Sequence, residues 1–166
     1  MNLDNIKTDN FIFKKYNSNN KKHLELLKNI TNDELTEKFF DDWKNLLFSN
    51  DDFTYGYIVE KDDNAIGLIT INEIDDRNIV FSHIISPQYR GKRYSSIMKQ
   101  ELYDYIFKNN LVDNIICYIK SNNKNSISSM LKTNPDSIEK DINNMFKVTY
   151  HNKYNKKGEC SYGKNR

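Results

Sequence analysis

Between Thr54 and Lys120 the hydrophobic period switches from two residues to helical spacing and back again, and few folds accommodate that order. Thr54 to Lys61, Ala65 to Ile74 and Asn78 to Ser86 are β-rich runs separated only by Asp62-Asp63-Asn64 and Asp75-Asp76-Arg77. Connections this short join neighbouring antiparallel strands, so the three runs form a meander. Tyr94 to Asn109 then places Tyr94, Ile97, Met98, Leu102, Tyr105 and Ile106 on one helical face. Asn114 to Lys120 returns to an apolar strand pattern. Strand, helix and strand in this order, with a crossover's length, make the last two strands parallel. The reading is an α+β (mixed α/β) chain whose mixed sheet has antiparallel strands followed by a parallel β-α-β crossover.

Phe11 to Tyr16 is read as a first strand. Asn20 to Ile30 and Asn32 to Phe48 have helical spacing through Leu24 and Leu27 and then Leu35, Phe39, Trp43, Leu46 and Leu47. Thr31 and Glu34 have the spacing of a capping box for the second of these helices. Asn125 to Lys132 suits a short helix ended by Thr133-Asn134-Pro135, because proline disfavours helix in its predecessor. Asn144 to His151 suits a strand. A chain of 166 residues supports one well-buried domain, assigned to residues 1–151, and the polar, basic tail 152–166, with Gly158 and Gly163, is expected to be mobile.

A net charge of +2 argues against nucleic acid as the main partner, because gripping phosphates along a duplex needs a concentrated basic face. Met1 to Tyr16 has no apolar run of signal-peptide length and no segment has the length of a membrane span, so the expectation is a cytoplasmic protein with no membrane contact. Cys117 and Cys160 form no metal-ligand spacing with His23, His83 or His151, so no metal is expected and both thiols are read as structural.

The segment with chemical content follows the third strand of the meander. A strand ending at Ile85-Ser86-Pro87, the loop Gln88-Tyr89-Arg90-Gly91-Lys92-Arg93 and then an amphipathic helix form the parts of an anion site. First-turn amides lack internal partners and carry partial positive charge, and a glycine before them lets the backbone approach a phosphate closely. Arg90, Lys92 and Arg93 add charge, while Ser95 and Ser96 offer hydroxyls. On spacing alone an ordinary basic turn explains the segment equally well.

The segment resembles the acyl-CoA-binding motif of the GNAT superfamily of N-acetyltransferases, Gln/Arg-x-x-Gly-x-Gly/Ala. Gln88 and Gly91 match and Arg93 replaces the final small residue. The likeness runs over about residues 55 to 132, including Ile66-Gly67-Leu68 and Asn125-Ser126-Ile127. It implies a GNAT-like twisted mixed sheet with helices on both faces, in which the strands ending at Ile85 and beginning at Asn114 splay apart to admit acetyl-CoA as cosubstrate. Pantetheine amides would pair with backbone near Ile84 and Ile85, and the pyrophosphate would rest on the amides of Arg90 to Tyr94. Asn125 matches the asparagine that contacts the pantetheine arm; capping its own helix is the other reading.

The activity implied is acetyl transfer to a primary amine of a small molecule or peptide by direct attack in a ternary complex. An alkylammonium with a reference pKa of about 10.4 is about one part in a thousand deprotonated near neutrality, a deficit of roughly 4 to 5 kcal/mol. A base must offset it, and His83 and Glu73 are the candidates. His83 lies two residues before Ile85 and shares its side of the sheet, while Glu73 lies near a strand end. Packing for His83 and a solvated carboxylate for Glu73 are the competing readings. Backbone N–H groups near Ile85 would hold the oxyanion. Cys117 has no assigned base, which disfavours a covalent route. Lys132 takes the usual position of a tyrosine acid, seven residues after Asn125, and Thr133-Asn134 replaces the usual Gly-Phe. The alternative function is therefore a non-catalytic acyl-CoA-binding or sensor module of the same fold. Homodimers occur among such folds, so a homodimer is a candidate assembly.

Overall fold

The computed structural model describes residues 5–17, 19–31, 54–141 and 143–155. The helix expected over Asn32 to Phe48, the Glu34 half of its capping pair and residues 156–166 of the tail lie outside these. The described strands are β1 (Ile6–Lys7), β2 (Ile12–Lys15), β3 (Thr54–Lys61), β4 (Asn64–Asp75), β5 (Asn78–Ile85), β6 (Asn114–Lys120), β7 (Ser137–Lys140) and β8 (Met145–His151). The described helices are α1 (Lys21–Thr31), α2 (Tyr94–Lys108) and α3 (Lys124–Leu131). All the strands join one sheet in the order β1-β2-β3-β4-β5-β6-β8-β7.

The meander forms as the turn chemistry requires. Asp62 and Asp63 have φ of 47° and 61°, the two positive angles of a two-residue hairpin turn whose twist matches its strands. Strands β3, β4 and β5 run antiparallel to their neighbours, and β5 pairs in parallel with β6 after the α2 crossover. The two faces of the sheet bury different helices. Leu26, Leu27 and Ile30 of α1 pack with Ile58 and Leu68 on one face. Met98, Leu102 and Ile106 of α2 pack with Ile69, Phe81 and Ile115 on the other. Strand alternation explains the division, since Ile58 and Leu68 are register partners, as are Tyr57 and Ile69.

The helical faces differ in detail from the spacing. Leu24 is 43% exposed, and the buried stripe of α1 runs through His23, Leu26, Leu27 and Ile30. In α2 the stripe includes Ser96, Lys99, Tyr103 and Phe107, while Tyr94, Ile97 and Tyr105 are partly buried. The short strands β1 and β7 were not anticipated. One has two residues and the other a single apolar residue, so neither carries a period, and partners at the sheet's edges create them. The start of the tail is anchored: Asn152 N–H donates to the Asp113 carbonyl at 2.8 Å and Asn152 Nδ2 to the Val112 carbonyl at 3.0 Å.

Candidate functional site

The sheet opens where its parallel pairing stops. Strands β5 and β6 are in register only at Asn78–Asn114, Ile79–Ile115 and Val80–Ile116. Beyond that, β5 follows β4 to Ile85 and β6 follows β8 to Lys120, so Phe81 to Ile85 and Cys117 to Lys120 border a gap. Ser86 N–H donates to the Ile66 carbonyl at 3.0 Å, which sets the phase of the β4–β5 ladder. By alternation Ser82 and Ile84 turn their peptide groups to β4, while Phe81, His83 and Ile85 turn theirs to the gap. Arg90 Nε donates to the Ile85 carbonyl at 2.9 Å. The gap-facing backbone thus belongs to His83 and Ile85, whereas the Ile84 side chain packs on the α1 face.

At the mouth of the gap, Pro87 to Tyr89 form one tight turn in which Tyr89 N–H donates to the Ser86 carbonyl at 2.9 Å. Gly91 follows at φ 77°, and a Cβ there would meet nothing within 4 Å, so its glycine is required by conformation and not by space. Arg93, immediately before α2, is left-handed at φ 62° and makes no side-chain cap. Ser96 Oγ donates to the Arg93 carbonyl at 3.0 Å. Because that hydroxyl acts as donor, it does not cover the first-turn N–H groups. Gln88, Arg90, Gly91, Lys92 and Arg93 are exposed, with Lys92 Nζ 5.4 Å from the centre of the Tyr89 ring and Tyr94 edge-on to Phe11. Arg93→Gly is expected to raise unfolding stability by about 0.5–1 kcal/mol, read from urea denaturation, because it relieves a left-handed residue that carries a Cβ.

Below the mouth, Ser95, Lys99 and Tyr103 recur every four residues and so form one row along α2. Ser95 Oγ lies 2.6 Å from His83 Nε2 and 2.9 Å from Ser129 Oγ, linking β5, α2 and α3. Tyr103 Oη lies 3.2 Å from Cys117 Sγ, and its ring meets Phe81 edge-on at 5.2 Å. Lys99, one turn from each, is 3% exposed. Burial lowers the Lys99 ammonium to about 8. Burial and the nearby Lys99 charge lower His83 to about 3, so its imidazole is neutral at physiological pH. Burial raises the Cys117 thiol to about 11. Lys99 went unnoticed in the sequence, although a cation adjoining the apolar stripe of Met98 and Leu102 was its signal.

Other expectations fall elsewhere. The cap of α3 is Asn123, whose side chain accepts from Ser126 N–H at 3.1 Å. Asn125 is exposed in the first turn, so its capping reading is corrected: the helix starts one residue earlier than the pattern suggested. Lys132 is exposed and its carbonyl accepts from Gln100 Nε2 at 3.1 Å. Asn134 has φ 48° and so supplies the left-handed residue for which a glycine usually serves after a helix. Glu73 pairs with Ile79, level with the closed end of the gap. Tyr150 Oη is held 2.7 Å from Thr133 Oγ1, and burial raises it to about 12. Tyr118 is 43% exposed and alternates with Cys117, which faces α2. A cleft of about 310 Å³ beside α2 is lined by Tyr103, Asp104, Thr133 and Tyr150 and includes no residue of the loop. Among the described residues no group of His, Cys, Asp and Glu could hold a metal, and no helix is long and apolar enough to cross a membrane.

The profile of a family described as "Acetyltransferase (GNAT) domain" matches residues 5–134. No curated protein matches the chain in sequence. Among solved structures, the N-acetyltransferase PseH of Campylobacter jejuni is 17% identical over 85% of this chain and 97% of its own, with a TM-score of 0.65, and PseH has also been solved with acetyl coenzyme A. A chimera of the spermidine N-acetyltransferase SpeG from Vibrio cholerae and hSSAT is 18% identical over 87% of this chain and 96% of its own, with a TM-score of 0.66. RimL, a ribosomal L7/L12 alpha-N-protein acetyltransferase in complex with coenzyme A, is 11% identical over 89% of this chain and 98% of its own, with a TM-score of 0.67. At such identities the likeness establishes a shared fold.

Proposed function

We propose that this chain, which belongs to the GNAT acetyltransferase family, moves an acetyl group from acetyl-CoA to a primary amine of a small molecule or peptide by direct attack in a ternary complex. The observation that carries this is the gap between β5 and β6, which leads from the uncapped first turn of α2 to the sheet's centre. The pyrophosphate sits on the amides from Gly91 to Ser96, flanked by Gln88, Tyr89, Arg90, Lys92 and Arg93. The pantetheine lies along the gap-facing peptide groups of His83 and Ile85, with Ile84 behind them and Asn125 toward the arm. The acetyl carbonyl oxygen accepts from a backbone N–H near Ile85, where charge develops in the transition state.

The acceptor approaches on the α1 face. Thr70 and Asn72 lie on that face of β4, and the buried Thr70 Oγ1 and Asn72 Oδ1 have no hydrogen-bond partner among the described residues. Such atoms are costly to leave unpaired and suit an N–H donor. Spermidine and a protein N-terminus, named for SpeG and RimL, span the small-molecule and peptide acceptors envisaged. Of the two candidate bases, His83 borders the gap. His83 lies on the α2 side, bonded to Ser95, so the acceptor's proton reaches it across the gap; a group lowered to about 3 does not retain that proton at neutral pH, and His83 passes it along the Ser95–Ser129 hydroxyls. Glu73 attracts a cationic acceptor. Direct attack is favoured over a covalent route because a thiol raised to about 11 is scarcely ionised near neutrality.

Calorimetric titration with acetyl-CoA, followed by thiol release with a panel of amines, tests this. Saturable binding and amine-dependent release are expected, with Gly91→Ala weakening acetyl-CoA binding roughly tenfold. Release lost in His83→Ala and retained in Glu73→Ala would assign the proton path to His83. A wild-type protein that does not bind acetyl-CoA overturns the proposal.

A further inference from the structure

Lys99 is an ammonium buried where an apolar side chain would suit folding better. It is 3% exposed on a helix face that otherwise buries Met98, Leu102 and Ile106, and no carboxylate pairs with it among the described residues. An unpaired buried charge opposes folding, so its retention at such a position calls for a partner that arrives later. Its place in the fold indicates which. Ser95, one turn earlier, touches His83 on β5, and Tyr103, one turn later, touches Cys117 on β6, so Lys99 lies over the gap between the two strands. Substrate atoms in that gap would meet Lys99 from the α2 side, opposite the face of Thr70 and Asn72.

We infer that Lys99 is the catalytic acid of acetyl transfer, giving its proton to the coenzyme A sulfur as the thioester breaks; this rests on the acetyltransferase reading above. The acceptor nitrogen attacks the thioester carbon from the α1 face and a C–N bond forms. The tetrahedral intermediate collapses, and the C–S electron pair goes to sulfur on the α2 side. Lys99 Nζ transfers a proton to that sulfur, producing the free thiol and a neutral lysine. The proton shed by the acceptor nitrogen leaves by way of His83 and the Ser95–Ser129 hydroxyls to solvent, and solvent reprotonates Lys99, so amine and thioester become amide and thiol with nothing left over. This supplies the acid that Lys132, exposed at the C-terminal end of α3, is not positioned to provide.

The surroundings leave the role to Lys99. His83 from β5 is neutral, Cys117 from β6 retains its proton, and Tyr103 on α2 and Tyr150 from β8 are raised by burial. Lys99, lowered to about 8, approaches the ordinary thiol value of about 8.5, and proton transfer is most efficient when donor and acceptor are matched.

Lys99→Met and Lys99→Arg in the full chain test the inference, using the best amine of the panel or, without one, water as acceptor. Lys99→Met should bind acetyl-CoA within about threefold of wild type while kcat falls about 100-fold, the size of a lost general acid. The decline of wild-type kcat above about pH 8 should disappear in Lys99→Met. Lys99→Arg retains the charge but holds its proton too tightly to give it up, so it should be nearly as slow. Lys99→Met turning over within threefold of wild type, or Lys99→Arg restoring most of kcat, overturns the inference while leaving the acetyl-CoA site intact. Wild-type protein that does not bind acetyl-CoA overturns the reading beneath it as well.

Discussion

Gly67→Ala is expected to lower unfolding stability by about 2–3 kcal/mol in urea denaturation and to weaken acetyl-CoA binding at the same time. A Cβ on Gly67 would stand 2.6 Å from the Ile84 carbonyl oxygen and 2.9 Å from Ile85 Cδ1. The first of these is backbone in the interior of a sheet, held by the pairing of Leu68 with Ile84 and by the Ser86 N–H bond to the Ile66 carbonyl. No rotamer change relieves the contact, so β4 and β5 must separate. Residues His83 to Ile85 move with β5, and they form one wall of the gap. Gly91→Ala makes a contrast, because only φ opposes a side chain there. A Gly67→Ala protein as stable as wild type would contradict the packing described for this ladder.

Lys99→Met is expected to be more stable than wild type at pH 7 by roughly 3 kcal/mol, with the advantage shrinking as pH rises. Lys99 is lowered from 10.5 to about 8 in the folded protein, chiefly by burial. A depressed value contributes its stability above the unfolded value of 10.5 and loses it as pH falls through about 8. Below pH 8 the wild type therefore bears the whole cost of the buried charge, and methionine removes it. Cys117 and Tyr150, raised by burial to about 11 and 12, act in the opposite direction. Their contributions are present below their unfolded values of 9.0 and 10.0 and are lost above them. The informative quantity is thus the difference between variant and wild type from pH 7 to 9, measured by urea denaturation at each pH. A constant difference would mean that Lys99 titrates as an ordinary exposed lysine. A gain in stability joined to a loss of turnover would mark a residue kept for chemistry at folding's expense.

The most legible elements were those whose signals are local. The turn over Asp62-Asp63-Asn64 is legible because a short polar segment must bridge two strands, and the structure narrows it to Asp62 and Asp63, both at positive φ. Strand β6 spans Asn114–Lys120 as its apolar pattern indicated. The mixed sheet and the crossover at α2 followed from the same periodicities. Edge strands β1 and β7 were not legible, because two or four residues carry no period and their neighbours determine them. The start of α3 is not legible, because Asn122, Asn123 and Asn125 are chemically equivalent as caps. Only the geometry selects Asn123.

By itself the sequence determined the order of strands and helix from Thr54 to Lys120, the loop around Gly91 and, through its resemblance, the family. Each depends on residues adjacent in the chain, whose spacing imposes a period or a turn. The tertiary structure alone decided that pairing between β5 and β6 stops after Val80 and Ile116, that Gly67 must lack a side chain, and that Lys99 lies buried over the gap. These depend on segments distant in sequence. Burial, close approach and perturbed proton affinity come from what packs against a residue, and a linear pattern does not specify that until the sheet and α2 have met.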